Sequence, residues 1–407
     1  MAHAEFGPSP WRWIVLIVFM LINIMVQVLW ICYSPIAAVA TQAFGAGIKP
    51  DDVRLLGDIF LLVYIPVAFP AAWAIDKFGI HKAVGFGAAV MAVFALLRAL
   101  MPNSYDIALI SSIGIAVGQP FILSAFTKIA GLWFPKRQRA TITGVMFLSL
   151  FAGVAVGEAV TPMIVTTTAD FPSMNMIYGI ATIASVVLFL LLARARPKRP
   201  VEEHENETRA LMLEGMKNLL KNRNIYFVSI LILLGSAVVN GMFIDIDAIA
   251  TEKLFPGQGG VVASIILLGS VVGSVILPAI SDALKRRKAI LVVGTFVGGA
   301  MVIVFSLVTG FVASSIVGFL IGFFLSGAVP VGYQYGAEIT HPTPEGTSNG
   351  FLGLILQAAG FLIVAMDGIK TLVGDRYMPV IGGLGVLIAL STILIASMRE
   401  SPEVRTA

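Results

Sequence analysis

The sequence predicts an all-α membrane protein with twelve transmembrane helices arranged as two halves of six. Only 12% of its 407 residues are charged and 58% are hydrophobic, whereas a soluble domain usually carries about 25% charged residues. Apolar stretches long enough to cross a bilayer, at about 20 residues each, recur about twelve times along the chain. They are continuously apolar rather than alternating, which excludes a transmembrane β-barrel. Disorder is also excluded, because disordered chains are poor in apolar residues.

Six predicted spans are followed by the longest polar stretch of the chain and then by six more. The first six cover about residues 13–40, 55–75, 83–101, 107–134, 141–165 and 176–193. The other six cover about residues 225–250, 261–280, 289–309, 313–339, 347–373 and 378–398. We therefore expect an N-terminal six-helix half at residues 1–194, a linker at 195–224 and a C-terminal six-helix half at 225–407.

Basic residues concentrate in alternate loops and set the expected orientation. They occur at residues 77–82, 136–139, 194–199 and 285–288, whereas the opposite loops hold few. The positive-inside rule therefore places both termini and the linker in the cytoplasm, and we expect a multi-pass protein of the plasma membrane. Apolar residues recur at helical spacing in residues 207–222, which indicates either a short amphipathic helix or a simple connector.

The residues available for chemistry exclude several classes of protein. A single cysteine excludes a cysteine-rich metal site, and the four histidines fall in predicted loops or tails, so no haem ligand lies within the membrane. Nucleotide-binding and metalloprotease motifs are missing from the sequence. We expect no enzyme activity, no cofactor, no metal and no nucleic-acid partner. We expect a monomer whose partners are the lipid bilayer and a small-molecule substrate.

An acidic residue followed by basic residues closes the second span of each half. The two loops read DKFGIHK at residues 76–82 and SDALKRRK at 281–288. An aspartate that pairs with basic groups and helix ends can hold one conformation and release it in another. One such loop is consistent with ordinary snorkelling, but two at equivalent places are typical of the major facilitator transporters. The gating candidates in these loops are Asp76, Lys77, Lys82, Asp282, Lys285 and Arg286.

Polar side chains inside the predicted spans mark surfaces that face protein or water, because polar groups that face lipid are costly. In span one, Asn23, Gln27, Trp30 and Ser34 share one helical stripe. The stripe indicates either a cavity lining, with the Trp30 ring available to a cation, or hydrogen bonding between helices. Gln119 in span four leaves the same two interpretations open.

Acidic residues at membrane depth are candidates for substrate or proton binding. Asp245 and Asp247 of span seven point in nearly opposite directions unless the helix is broken, and Asp247 shares its face with Asn240 and Phe243. Alternatively, both aspartates lie in water at the outer end of the span. Glu158 in span five is either a proton-coupling site or the partner of a cationic ligand, since an unpaired buried carboxyl stays protonated. The proton-coupling candidates are Glu158, Asp245 and Asp367.

Four stretches resemble the feline leukaemia virus subgroup C receptor family of facilitators. They are GFFLSGAVPVGYQYGAEITHPTPEGTSNG at residues 322–350, YIPVAFPAAWAID at 64–76, LWICYSP at 29–35 and GQPFILSAFTKIAGLWF at 118–134. Known members move choline and ethanolamine, and haem export has been attributed to one. The resemblance implies a major facilitator fold and a carrier of small organic cations that works by alternating access.

The resemblance also implies roles for individual residues. Trp30, Gln119 and Gln357 match the aromatic and glutamine residues with which the family holds a quaternary ammonium. The family's seventh-span tyrosine falls at Ile244, which leaves a different substrate open. Lys128 and Glu338 match family residues at the cytoplasmic ends of spans four and ten, which implies gating. We expect substrate contacts, in a cavity between the halves, from Trp30, Gln27, Gln119, Asn240, Phe243, Asp247, Tyr333, Gln334 and Gln357.

Two other functions fit the sequence less well. A proton-coupled carrier of another small metabolite, or of haem, would use the acids at membrane depth. A membrane receptor or scaffold without transport is the alternative from another class, and the paired aspartate loops argue against it because a static scaffold needs no gate.

Overall fold

The structure is a computed structural model that describes residues 10–340, 343 and 345–400, except 135, 198–216, 285 and 399. At residues 76, 127, 136–141, 143, 144, 345–347 and 349 it describes the backbone alone. The chain divides into two compact units, Met1–Asn206 and Glu207–Ala407. Each unit contributes six of the twelve helices that are long and apolar enough to cross a membrane in this part of the chain. The predicted all-α fold with twelve spans is therefore confirmed.

The N-terminal unit contains spans 1 to 6. Their bounds are Trp11–Phe44, Pro50–Ile75, Ile80–Leu100, Tyr105–Trp133, Val145–Ile164 and Phe171–Leu192. The helix of span 2 continues to Phe78, and Gly79 alone joins it to span 3. Its φ of +85° is a conformation that glycine adopts without steric cost.

Three spans of this unit are irregular. Span 1 changes from the helix Trp11–Ile31 through the 3₁₀ turn Ser34–Ile36 into the helix Ala37–Phe44. Span 4 is divided into Tyr105–Leu123 and Phe126–Trp133. Span 5 consists of Lys136–Ala155, a π-helical segment Val156–Val160 and a last turn Thr161–Ile164. Prolines at 35, 120 and 162 lie at or beside these irregular segments. The helices are irregular there because a proline lacks the N–H that would continue the helical hydrogen bonding.

The C-terminal unit contains spans 7 to 12. Their bounds are Arg223–Ile244, Gly259–Leu284, Arg287–Leu307, Phe311–Ile339, Gly350–Leu372 and Tyr377–Ala396. A short helix, Ile246–Glu252, follows span 7 after a break at Asp245. Span 10 consists of Phe311–Ile321, a π-helical segment Gly322–Ser326 and Gly327–Ile339, and the helix of span 11 begins at Glu345.

Close packing in this unit depends on small residues. Ideal Cβ atoms at Gly269 and Gly273 of span 8 would lie 2.1 Å from the carbonyl oxygens of Phe319 and Phe323 in span 10. No side chain fits at such a distance, so glycine allows the two backbones to touch, as small residues do between membrane helices.

The predicted amphipathic helix of the linker lies largely outside the described residues, since 198–216 are not among them. Residues 217–221 are helical, and Leu219 is fully buried in the apolar core of the C-terminal unit. The last turn of the linker therefore packs against the unit that follows it.

Candidate functional site

The polar stripe of span 1 faces the interior of the N-terminal unit. The Asn23 Nδ2 donates to the Ser149 Oγ at 2.6 Å, and the Trp30 Nε1 donates to the Gly57 carbonyl at 3.1 Å. Gln27 is buried one turn after Asn23. Interhelical hydrogen bonding, one of the two interpretations of this stripe, is thus observed at Asn23 and Trp30. The bond at Trp30 fixes the indole and leaves only its ring face and edge for another contact.

Two buried amide oxygens in this unit accept no hydrogen bond from the described residues. They are the Oδ1 of Asn23 and the Oε1 of Gln119, and Gln119 is only 3% exposed. The helices that carry them, Trp11–Ile31 and Tyr105–Leu123, pack against each other. A buried acceptor without a donor costs about 1–3 kcal/mol, so both oxygens are suited to a hydroxyl, an ammonium or a water molecule.

In the C-terminal unit, span 10 directs its polar residues to different surroundings. Tyr333 is half-buried, and its hydroxyl lies 3.6 Å from an ideal Cβ at Gly353 of span 11, one turn before the buried Gln357. Gln334 is exposed and donates to the Glu338 Oε1 at 2.9 Å. The structure therefore brings Tyr333 towards the helix of Gln357, whereas Gln334 bonds to Glu338 of its own helix.

The break in span 7 separates the two aspartates. Asp245 lies at the break and is buried, and its Oδ1 accepts a hydrogen bond from the Tyr377 hydroxyl at 3.3 Å. The Lys370 Nζ lies 3.3 Å from the same hydroxyl. Asp247 is half-buried in the following helix. Asp245 thus belongs to a polar network with spans 11 and 12, and a substrate contact by Asp247 stays a prediction.

Three further predicted residues lie in spans 7 and 11. Phe243 is buried, whereas Asn240 and Asp367 are half-buried. Their predicted roles in substrate or proton binding stay predictions.

Glu252 and Lys253, which follow the break, bond to the ends of other helices. Neither residue was among the predicted site residues. The Lys253 Nζ donates to the carbonyls of Phe305, at 2.6 Å, and of Val308, at the end of span 9. Burial lowers the pKa of Lys253 to about 8, with the neighbouring Glu252 opposing the shift. The Glu252 carboxylate accepts from the backbone N–H of Tyr377 at 2.7 Å. An anion at a helix N-terminus and a cation at a C-terminus are both stabilising.

The charged loop of the C-terminal unit is organised by Arg287. Its Nε lies 3.3 Å from the Glu338 Oε1, its Nη1 lies 3.2 Å from the Ser281 Oγ, and it pairs with Asp282. Arg287 belongs to the predicted basic loop but was not among the gating candidates. Of those candidates, Arg286 is exposed and Lys285 lies outside the described residues.

The corresponding loop of the N-terminal unit has its basic residues on the surface. Lys77 and Lys82 are exposed, and the Lys77 ammonium lies 4.6 Å from the centre of the Trp73 ring. The Lys128 Nζ donates to the Ile75 carbonyl at 3.3 Å, near the end of the span 2 helix. The side chain of Asp76 is outside the described part, so its predicted gating role stays a prediction.

A buried arginine is the main polar residue of the N-terminal unit that the sequence reasoning missed. Arg98 of span 3 is 1% exposed, and Glu158 of span 5 is fully buried. Arg98 could have been found from the sequence, because an ionisable residue inside a membrane span is by default a candidate functional residue. The same rule had singled out Glu158. Among the residues described here, no group of histidine, cysteine and acidic residues could hold a metal ion.

Twelve membrane spans divided between two compact units are typical of the fold of secondary transporters. The family model described as "Major Facilitator Superfamily" matches residues 12–365. This match covers most of the chain, and the protein therefore belongs to the major facilitator superfamily.

The curated relatives of this chain include members of the family that it was predicted to resemble. The chain is 26% identical to the choline/ethanolamine transporter FLVCR1 of Felis catus, over 96% of this chain and 73% of that protein. It is 27% identical to the choline/ethanolamine transporter FLVCR2 of Homo sapiens, over 96% and 78%. It is 28% identical to solute carrier family 49 member A3 of Xenopus tropicalis, over 87% and 77%. The predicted family resemblance is confirmed.

Solved structures support the fold. A POT family transporter in complex with 5-aminolevulinic acid superposes with a TM-score of 0.74 at 14% identity, over 96% of each chain. A bacterial homologue of the human lysosomal transporter Spinster, in an inward-facing and unoccupied conformation, superposes with a TM-score of 0.69 at 14% identity, also over 96% of each. At this identity the likeness shows the fold alone.

Proposed function

We propose that this transporter carries a small organic cation, such as choline or ethanolamine, by alternating access. The relatives named for these two substrates match nearly the whole chain. The observation that carries the proposal is the buried stripe of span 1, with Trp30 fixed by its hydrogen bond to the Gly57 carbonyl.

The chemistry of the substrate suits the groups that this stripe offers. A quaternary ammonium has no N–H to donate, so it binds best over the face of an aromatic ring, where the attraction is worth about 0.5–2 kcal/mol. The indole of Trp30 is held by its N–H, which leaves its face for such a contact. The hydroxyl that choline and ethanolamine share can donate to the unfilled Oε1 of Gln119 or Oδ1 of Asn23.

Further proposed substrate contacts belong to the C-terminal unit. Tyr333 provides a second aromatic ring, and Gln357 lies one turn from the glycine beside the Tyr333 hydroxyl. The proposed set also includes Gln27, Asn240, Phe243 and Asp247. We also propose that the carrier is a monomer of the plasma membrane. The alternation of basic loops with loops that are nearly free of basic residues supports a cytoplasmic position for both termini.

Uptake of radiolabelled choline and ethanolamine into proteoliposomes tests the proposal. We expect saturable uptake, and we expect W30A to reduce it about tenfold, the loss of a partly desolvated cation–π contact. Trp13→Ala is the matched control, since Trp13 belongs to the same helix but is 47% exposed. It should leave uptake unchanged.

A thermal-shift series on purified protein provides the independent readout. Choline and ethanolamine should raise the melting temperature of the wild type and of the Trp13 variant, but not of W30A. Stabilisation by carboxylates or haem without stabilisation by either amine would contradict the proposed substrate class. Equal uptake by well-folded W30A and wild type would remove Trp30 from the set of ligands.

A further inference from the structure

The first helix of span 1 ends one residue after Trp30, which is the aromatic contact of the proposed function. This helix is Trp11–Ile31, and the 3₁₀ turn Ser34–Ile36 follows it. Among the described backbone bonds, its i→i−4 series ends with the Cys32 N–H, which donates to the Val28 carbonyl at 3.0 Å. The carbonyl groups in the last turn of a helix need donors from outside the helix.

Arg98 of span 3 provides such a donor. Its Nη1 donates to the Leu29 carbonyl at 3.3 Å, and its Nη2 donates to the Cys32 Sγ at 3.4 Å. Its guanidinium carbon lies 4.7 Å from the centre of the Tyr33 ring. Arg98 is only 1% exposed, and a guanidinium keeps its proton in proteins. Because a cation is favourable at the C-terminal end of a helix, Arg98 caps the helix that carries Trp30.

The bond from Arg98 reaches the peptide group that leads into Trp30. The Leu29 carbonyl and the Trp30 N–H belong to one planar peptide unit, which also includes the Trp30 Cα. A donor that fixes this carbonyl therefore fixes the direction in which the Trp30 backbone continues. The indole is held separately, because its Nε1 donates to the Gly57 carbonyl of span 2 at 3.1 Å. The backbone and the ring of Trp30 are thus anchored from two different spans.

The part of span 3 that carries Arg98 is closely packed against span 6. An ideal Cβ at Gly179 of span 6 would lie 2.9 Å from the Cβ of Ala99, the residue after Arg98. The Tyr33 hydroxyl, beyond the guanidinium, donates to the Asn175 Oδ1 of span 6 at 2.9 Å. Spans 3 and 6 therefore form a packed support from which Arg98 holds the end of the span 1 helix.

We propose that Arg98 is a positioning residue for substrate binding, which sets the orientation of the Trp30 indole through the Leu29 carbonyl. This role rests on the proposed function, in which the face of the indole binds the ammonium group of choline or ethanolamine. The attraction requires the cation to lie over the ring face, so a rotation of the indole weakens binding. Arg98 acts through the backbone of Trp30 and makes no contact with the substrate itself.

The first test needs no substrate. In the full chain labelled with fluorotryptophan, the fluorine NMR signal that is missing in Trp30→Ala belongs to Trp30. We expect Arg98→Met to shift this signal, whereas Arg98→Lys, which keeps a donor for the carbonyl, should leave it near its wild-type position. The signal of Trp73, which is 41% exposed in span 2, should stay unchanged in both. A Trp30 signal that does not move in R98M, or that moves equally in R98K, would overturn the proposal.

Cys32→Ala is the matched control for the other hydrogen bond of the guanidinium. A thiol is a weak hydrogen-bonding group, and the Cys32 Sγ lies 3.8 Å from the Leu29 carbonyl oxygen. The variant keeps the bond from Arg98 to that carbonyl, so the Trp30 signal should remain at its wild-type position. An equal shift in C32A and R98M would mean that Arg98 acts through the thiol, which contradicts positioning through the Leu29 carbonyl.

The second test measures how Arg98 acts on transport in proteoliposomes. R98M should raise the KM for choline by up to about tenfold, the loss expected for W30A, and leave the maximal rate per folded molecule near that of the wild type. The double variant R98M/W30A should transport as W30A does, because both changes remove the same interaction. Additive losses, or a lower maximal rate at an unchanged KM, would refute a role through Trp30.

The outcomes separate the two proposals and allow for misfolding. If neither amine is transported, the proposed function fails, while the fluorine signal still decides whether Arg98 orients the indole. If R98M does not fold, Arg98→Gln is the second variant, since its shorter side chain ends before the Leu29 carbonyl. It should shift the Trp30 signal, and an unmoved signal in folded R98Q would overturn the proposal.

Discussion

The contact between spans 1 and 5 gives a sharp prediction for Gly153. An ideal Cβ at this position would lie 2.5 Å from the Ile24 carbonyl oxygen and 2.6 Å from the Gln27 Cβ. Ordinary van der Waals contact begins at 3.4 Å. Gly153→Ala therefore requires the two helices to separate by about 0.9 Å (3.4 − 2.5) at the level of the proposed substrate ligand Gln27.

The magnitude follows from the cost of overpacking. Inserting a methyl group into a well-packed interior costs about 1–3 kcal/mol, which for a unit of this size corresponds to a loss of roughly 2 to 12 °C in melting temperature. The higher helix propensity of alanine opposes this by at most about 1 kcal/mol. The net effect of Gly153→Ala should be destabilising.

Gly131 provides the matched control within the same unit. It is helical like Gly153, in Phe126–Trp133, but an ideal Cβ there meets no described atom within 4 Å. Gly131→Ala should therefore leave the melting temperature unchanged or raise it slightly, because only the propensity effect remains.

The assay is thermal unfolding of the purified variants in one detergent, followed by intrinsic tryptophan fluorescence, together with choline uptake into proteoliposomes. We expect Gly153→Ala to melt below the wild type and to transport less per folded molecule, since Gln27 is displaced. If Gly153→Ala and Gly131→Ala melt at the same temperature and transport equally, spans 1 and 5 do not pack as described.

Three further predictions concern the C-terminal unit and are read from melting temperatures. Because burial lowers the pKa of Lys253 from 10.5 to about 8, ionised Lys253 disfavours the folded state, so stability should rise with pH between about 8 and 10.5. The rise should be smaller in Lys253→Met, and equal slopes would contradict it. Glu252→Ala should destabilise by about 1–2 kcal/mol, because it removes the carboxylate that accepts the Tyr377 N–H. Arg287→Met should destabilise by up to about 3–5 kcal/mol, since it leaves Glu338 buried without its cation. Arg287→Met/Glu338→Gln should recover part of the loss, and no recovery would mean that the pair is not coupled.

The sequence predicted the architecture because the signals for it are local. A membrane span is encoded by the summed hydropathy of about 20 neighbouring residues. The boundaries were less accurate, as with predicted span 55–75, which the structure extends to the helix Pro50–Phe78. The helix begins beyond the apolar stretch, where the backbone N–H of Lys49 donates to the Asp52 Oδ2 at 2.8 Å and so caps its N-terminus.

The candidate site was predicted only in part. The rule that polar groups avoid lipid singled out Asn23, Gln27, Trp30, Gln119 and Glu158, and all five are buried in the N-terminal unit. The sequence could not show which atoms these side chains would bond. The indole of Trp30, for example, uses its N–H on the backbone carbonyl of Gly57.

The sequence by itself therefore determined the class of this protein, the number of its spans and its family, since each depends on composition and on short stretches of chain. Only the tertiary structure decided the pairings of its few buried charges. Arg98 bonds to Leu29, 69 residues away, and Tyr377 bonds to Asp245, 132 residues away. Such partners are set by how helices pack, because a buried charge is stabilised by whatever groups the folded chain brings within a few ångströms of it.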